Sequence, residues 1–161
     1  MIGKDRRKPD GEAFTFLLDT IARLMDPEDG CPWDLAQTHA SLRQTLLEES
    51  YEAIEALGGE EAPPVVEELG DLLINILLNA EIGKHAGTFT VNEILSRAAD
   101  KLVSRHPHIF GNIKIDSAEE VRIHWDKIKA SEREKAGRAR ETILDGVPKT
   151  MPALAYSQAI Q

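Results

Sequence analysis

The sequence predicts an all-α fold without significant sheet, on three observations. Apolar residues recur at three- and four-residue steps over most of the chain. Glycine and proline stop signals punctuate those stretches, and two Ser/Thr-x-x-Glu boxes stand where helices should begin. Runs of alternating apolar and polar residues are missing apart from a few residues near Ile113. At 161 residues with 42% hydrophobic content, the chain makes about one domain with a real core.

Residues 12 to 25 place Phe14, Leu17, Leu18, Ile21 and Leu24 on one face of a helix that ends at Asp26-Pro27. The stretch DPEDGCPWDLAQ, with two prolines, a glycine and several acids, reads as an ordered loop carrying a buried aromatic, Trp33. Helix resumes near Thr38 and runs to Leu57, with Leu42, Leu46, Leu47, Ala53, Ile54 and Leu57 recurring on one side until Gly58-Gly59. Pro64 suits the first turn of a third helix, where its missing N–H would be unpaired anyway. That helix continues to about His85 and is apolar on most sides between Leu69 and Ile82, as the central, most buried helix should be. Thr90 with Glu93, and Ser117 with Glu120, open helices over roughly 90–104 and 117–136. The loop RHPHIFGNIKID separates them, and MPALAYSQAIQ resembles the opening of a further amphipathic helix. The expected organisation is therefore a flexible N-terminus over 1–11, a helical domain over 12–136, and a linker with the start of another helix over 137–161.

Net charge is -9, from 19 Lys+Arg against 28 Asp+Glu, which argues against a sequence-independent grip on nucleic-acid phosphates. The single cysteine, Cys31, cannot form an intrachain disulfide, and neither a signal peptide nor a membrane-length apolar run is visible, so a cytoplasmic protein without a membrane partner is expected.

The acidic excess is local. Residues 48 to 71 hold nine acids and no Lys or Arg, leaving 19 acids for the 19 basic residues elsewhere. Glu48, Glu49, Glu52 and Glu55 span an arc of roughly 120° on one helix. Glu68 and Asp71, three apart, face together on the next, and Asn75 and Asn79 continue that stripe turn by turn. Two helices joined by a short turn pack antiparallel, so the acidic faces can meet. A solvated face is the ordinary explanation of a charge run. Here like charges at helical spacing repel without a basic partner, and Asp71 sits inside LGDLLINILL, where an unpaired carboxylate costs several kcal/mol. A divalent cation would relieve both. An oxygen-only donor set favours Mg²⁺, with Mn²⁺ as a substitute, over Zn²⁺. A di-iron carboxylate bundle needs Glu-x-x-His, which the sequence lacks. Magnesium held by carboxylates keeps positions open for water and substrate phosphates, which points to phosphoryl chemistry.

A cationic counterpart stands at Arg97, Lys101 and Arg105, spaced by four on the fourth helix. Trp125 and Lys129, one turn apart on the fifth, set a flat ring beside a cation, suited to a base and a phosphate, though core packing serves Trp125 nearly as well. His106 and His108 lack a third ligand, and Cys31 in its Gly-Cys-Pro-Trp turn packs more readily than it reacts.

Glu48-Glu49-x-x-Glu52 followed by Glu68-x-x-Asp71 resembles the metal-binding signature of the MazG family of nucleoside triphosphate pyrophosphohydrolases. GCPWD at 30–34, the QT after it, EELGDLL, K-L-x-x-R-H-P-H-x-F at 101–110 and W-x-x-I-K at 125–129 resemble that family in order and spacing. The resemblance implies an all-α NTP pyrophosphatase fold with a four-helix core and additional C-terminal helices, usually dimeric. It also implies Mg²⁺-dependent cleavage of nucleoside triphosphates to monophosphate and pyrophosphate. The metal ligands it implies are Glu49, Glu52, Glu68 and Asp71, with Glu48 or Glu49 handling the water. The implied substrate groups are Lys101, Arg105, Trp125 and Lys129. Because PALxxxQxIQ is similar to the bridge between tandem copies in some members, the resemblance also implies the first of two copies. The alternative reading is a non-catalytic helical module for dimerisation or nucleotide sensing.

Overall fold

The computed structural model describes residues 10–137, 142 and 145–160. All regular elements among these are helical: α1 Asp10–Leu24, α2 Pro32–Leu35, α3 Leu42–Leu57, α4 Ala62–His85, α5 Val91–Arg105, α6 Pro107–Phe110, α7 Ala118–Lys135 and α8 Ala153–Ala159. The all-α expectation holds, and none of these helices is long and apolar enough to cross a membrane. Residues 1–9 of the expected flexible N-terminus, and 138–141, 143, 144 and 161 of the expected linker and terminal helix, lie outside the described residues, whereas Asp10 and Gly11 already belong to α1. The chain divides within α5 into two compact units, Met1–Ser96 and Arg97–Gln161.

In the first unit α4 packs against both α3 and α1. The core is Ile21 and Met25 at the end of α1, Leu42 at the start of α3, and Leu77 and Leu78 on α4, with Phe14, Leu17, Leu18, Leu73, Ile82 and Val91 packed around it. α4 holds more fully buried residues than any other helix, as its all-round apolarity predicts: Asn75, Leu77, Leu78, Ala80 and Gly83. Its N-terminal half is more open, with Leu69 exposed and Asp71 half-buried.

Local chemistry explains where these elements start and stop. After α1 the Asp26 carboxylate accepts from the Glu28 and Asp29 amides, and Gly30 N–H reaches back to the Asp26 carbonyl at 2.8 Å. A Cβ on Gly30 would lie 2.4 Å from that carbonyl oxygen, so only glycine fits the turn. The helix expected from Thr38 begins at Leu42 instead. Thr38 and Ser41 exchange side-chain and backbone hydrogen bonds at 2.9 and 3.1 Å, forming a capping turn before the helix. Thr90 and Glu93 form the expected reciprocal box on α5. On α7 only half the box forms: Ser117 Oγ accepts from Glu120 N–H, while the Glu120 carboxylate takes the Asp116 amide.

Two loop expectations are corrected. PWDL forms the short helix α2, because Pro32 supplies a helical φ at its start, and Trp33 is 61% exposed rather than buried. The HPH segment is likewise a single helical turn, α6, opened by Pro107.

Candidate active site

The acidic faces of α3 and α4 meet. Glu49 on α3 and Glu68 and Asp71 on α4 each offer a carboxylate oxygen, and the three atoms lie within 4.8 Å of one another. All three residues are half-buried, and none makes a hydrogen bond or ion pair with a described residue. Partial burial raises the Glu49 carboxyl above its ordinary range, and the charges of Asp71, Glu52, Glu68 and Glu48 raise it further. Glu68 is raised in the same sense by burial and by Glu52, Asp71 and Glu67. Glu52 is thus an electrostatic neighbour of the group but stands outside the close triad, exposed. Glu48 is exposed on the same face, its Oε1 accepting from Gln44 Nε2 at 2.9 Å. Three hard oxygen donors converging without a basic side chain fit a divalent cation of the Mg²⁺ or Mn²⁺ type.

A polar array continues from this cluster along α4. Asn75 is 2% exposed. Asn79 Nδ2 donates to the Asn75 carbonyl at 2.9 Å and to Asn75 Oδ1 at 3.1 Å. Asn79 Oδ1 lies 2.8 Å from Nδ1 of His39, whose ring stacks on Phe89. Phe89 in turn covers Gly83, where a Cβ would come within 2.7 Å of the ring.

In the second unit the predicted basic residues gather in a cleft of about 760 Å³. Arg97, Lys101 and Arg105 from α5 and Lys129 from α7 line it together with Arg133 and Glu132. The guanidinium of Arg105 is not free: Nε and Nη2 donate to Glu132 Oε2 at 3.1 and 2.7 Å, and Ser104 Oγ donates to Oε1 at 3.1 Å. These donors hold the Glu132 carboxyl below its ordinary range. Arg105 also lies 5.3 Å from the Trp125 ring centroid, over its face, and His106 meets that ring edge-on at 5.0 Å. Lys101 and Lys129 make no ion pair with a described residue.

Glu49, Glu68 and Asp71 thus form one group within the first unit, with Glu48 and Glu52 beside it on α3, and Lys101, Arg105 and Lys129, with Trp125 against Arg105, form another within the second. Sequence reasoning missed Glu132 and Arg133. The signal for Glu132 was present, since it falls three and seven residues after Lys129 and Trp125 on the same face of α7. The His39–Asn79 contact, forty residues apart in sequence, left no local trace.

Comparison with known proteins bears on both clusters. Residues 37–110 match the MazG nucleotide pyrophosphohydrolase domain. The chain is 41% identical over 145 residues to the nucleoside triphosphate pyrophosphohydrolase of Escherichia coli, covering 90% of this chain and 54% of that protein. It is 40% identical over 148 residues to the uncharacterized protein YabN of Bacillus subtilis, covering 92% of this chain and 29% of YabN. The chain therefore spans about half the length, or less, of these relatives. The crystal structure of a mazG-related protein from Thermotoga maritima superposes with a TM-score of 0.60 at 28% identity, covering 71% of this chain and 97% of that one. The ordered motifs, the helical architecture and these matches agree, and the chain belongs to the MazG family.

Proposed function

We propose that the chain hydrolyses nucleoside triphosphates to the monophosphate and pyrophosphate with the help of a divalent cation, Mg²⁺ or Mn²⁺. The observation that carries this reading is the convergence of Glu49, Glu68 and Asp71 within 4.8 Å, with two of the carboxyls raised by burial and mutual repulsion. The names of the pyrophosphohydrolase relatives support it.

Glu49, Glu52, Glu68 and Asp71 would hold the cation, which when bound neutralises phosphate charge and acidifies water. Glu48, oriented by Gln44, or Glu49 takes the proton of a water that attacks the α-phosphorus. The bond from that phosphorus to the bridging oxygen breaks and pyrophosphate leaves. Lys101, Arg105, Trp125 and Lys129 are the proposed substrate-binding residues: the two lysines make no ion pair with a described residue and suit phosphate oxygens, and Arg105 over Trp125 forms a cation-backed surface suited to a base.

The same reading includes a homodimer. Tyr51, Ile54 and Leu57 on α3 and Val66 and Leu69 on α4 form an exposed apolar stripe, 47 to 71% accessible, of the kind a second copy covers.

Separate assays of pyrophosphate and orthophosphate, with Mg²⁺ and a panel of ribo- and deoxyribonucleoside triphosphates, test the proposal. Pyrophosphate is expected from at least one of them. Orthophosphate alone, or binding without turnover, sinks the reading.

A further inference from the structure

The cleft of the second unit carries more positive charge than the proposed substrate groups account for. Arg97, Lys101 and Arg105 stand four apart on α5, and Lys129 and Arg133 stand four apart on α7, so three like-charged pairs at helical spacing line one cavity of about 760 Å³. Beyond the hydrogen bonds from Arg105 and Ser104, the charge of Lys101 also draws the Glu132 carboxyl down, so the α5 stripe faces α7. Five cations meet three carboxylates, those of Asp100, Glu132 and Asp145, an excess of two positive charges in a chain whose net charge is -9. Like charges so placed repel, and an anion would relieve them.

The carboxylates leave most of that charge unmet. Glu132 is taken by Arg105 and Ser104, and the Asp145 carboxylate accepts from the Thr142 amide at 2.8 Å. Asp100 is exposed and forms no ion pair with a described residue, and Arg97, Lys101, Lys129 and Arg133 form none either. Arg133 is half-buried, and a partly desolvated guanidinium without a partner calls for an anion. Its planar fork grips two phosphate oxygens at once. Both stripes run outward from the contact of Arg105 with Trp125: Lys101 and then Arg97 on α5, Lys129 and then Arg133 on α7. Arg97 lies two turns from Arg105, and Arg133 two turns from Trp125, each about 12 Å along its helix. That length exceeds a single phosphate and suits several joined in a row.

We propose that this cleft binds a chain of linked phosphates, and that Arg133 and Arg97 hold its outer end beyond Lys101 and Lys129, so that the site prefers three phosphates to two and two to one. The proposal rests on the reading of Lys101, Arg105 and Lys129 as substrate groups and names two residues that reading does not use. Arg133 is the main determinant of chain length, because it is the less exposed of the two.

The test is titration calorimetry with orthophosphate, pyrophosphate, tripolyphosphate and a deoxynucleoside triphosphate, in a chelator and at about 0.15 M salt, where distant charges are screened. Without a divalent cation the carboxylates of α3 and α4 do not attract these anions, so binding reports the basic cleft. Wild type should bind tripolyphosphate about tenfold or more tighter than orthophosphate. Arg133→Gln should weaken tripolyphosphate by about tenfold and Arg97→Gln by about two- to fivefold, the worth of hydrogen bonds to charged groups. Arg133→Lys should recover part of the loss, because it restores the charge without the fork. Arg122→Gln removes the same charge from α7 outside the cleft, and its effect should stay within about twofold. An equal Arg133→Gln loss with the nucleoside triphosphate identifies the chain as the tail of a nucleotide, and a loss confined to tripolyphosphate identifies it as an inorganic one. If Arg133→Gln does not fold, Arg97→Gln, on an exposed residue, decides the question. Equal affinity for one, two and three phosphates, unchanged binding by the folded variants, or an equal loss in Arg122→Gln overturns this inference. A wild type that keeps the graded binding but releases no pyrophosphate with Mg²⁺ overturns the pyrophosphohydrolase reading instead.

Discussion

The two charged clusters are built on opposite principles. On α3 and α4 like charges are brought together and left unpaired, so the Glu49 and Glu68 carboxyls are pushed up. On α5 and α7 opposite charges are interleaved, and the Glu132 carboxyl is pulled down by the Arg105 guanidinium. The first cluster carries like charge with no basic partner among the described residues, whereas the second already satisfies part of its own charge. Under the proposed function, that contrast separates a group that a cation would complete from one that orients its own guanidinium and leaves Lys101 and Lys129 without an ion pair among the described residues.

The largest expected effect breaks the first cluster. Asp71→Asn removes one of three converging donors and should lower the rate of pyrophosphate release by about a hundredfold or more. The metal-free fold should lose nothing, because the substitution also removes a repulsive charge from half-buried surroundings. Thermal unfolding in a chelator checks this second half, and a large drop in melting temperature would mean that Asp71 is structural.

Next in size is the test of the substrate role proposed for the second cluster. Lys101→Ala and Lys129→Ala should each raise KM by about tenfold if the proposed phosphate contacts are charge-assisted and equal in ground and transition states. Steady-state kinetics at two ionic strengths separates this from a folding defect. A change in kcat with KM untouched would place these lysines at the reacting phosphorus instead.

The Arg105–Glu132 pair should matter less and in a different way. Glu132 is about one-third exposed, so solvent screens the pair, and a double-mutant cycle in urea unfolding should give a coupling of about 1 kcal/mol. Glu132→Gln should raise KM more than it lowers kcat, because it lets Arg105 leave the face of Trp125.

Legibility in the sequence divides along the same line. The helices were readable because amphipathic spacing and caps are local: the Thr90–Glu93 box and the apolar stretch of α4 both appear as the spacing predicts. The failures are also local in cause. PWDL carries too few residues to show a period, so α2 and the exposure of Trp33 went unseen. Glu49, Glu68 and Asp71 were legible as a group because two helical faces and one short turn bring them together. What one sequence could not display is partnership across distance: Glu132 beneath Arg105, twenty-seven residues away, and His39 against Asn79.

The finest test uses pH, because the two clusters should respond with opposite sign. A carboxyl raised on folding binds its proton more tightly in the folded state. Glu49 and Glu68 of the metal-free protein therefore contribute stability that is fully present below the ordinary glutamate value of about 4.3 and is lost as pH rises through their raised values. Glu132 is lowered, so its contribution is present above the ordinary value and is lost as pH falls through its lowered one. Glu49→Gln with Glu68→Gln should therefore gain melting temperature relative to wild type on going from pH 4 to pH 7 in a chelator. Glu132→Gln should lose it relative to wild type as pH rises through the lowered value. Saturating Mg²⁺ should reverse the advantage of the first variant at pH 7, because a cation binding the folded wild type stabilises it by mass action and the variant has lost donors for that cation. Parallel pH slopes for the two variants, with no effect of Mg²⁺, would show that both clusters are merely solvated charge.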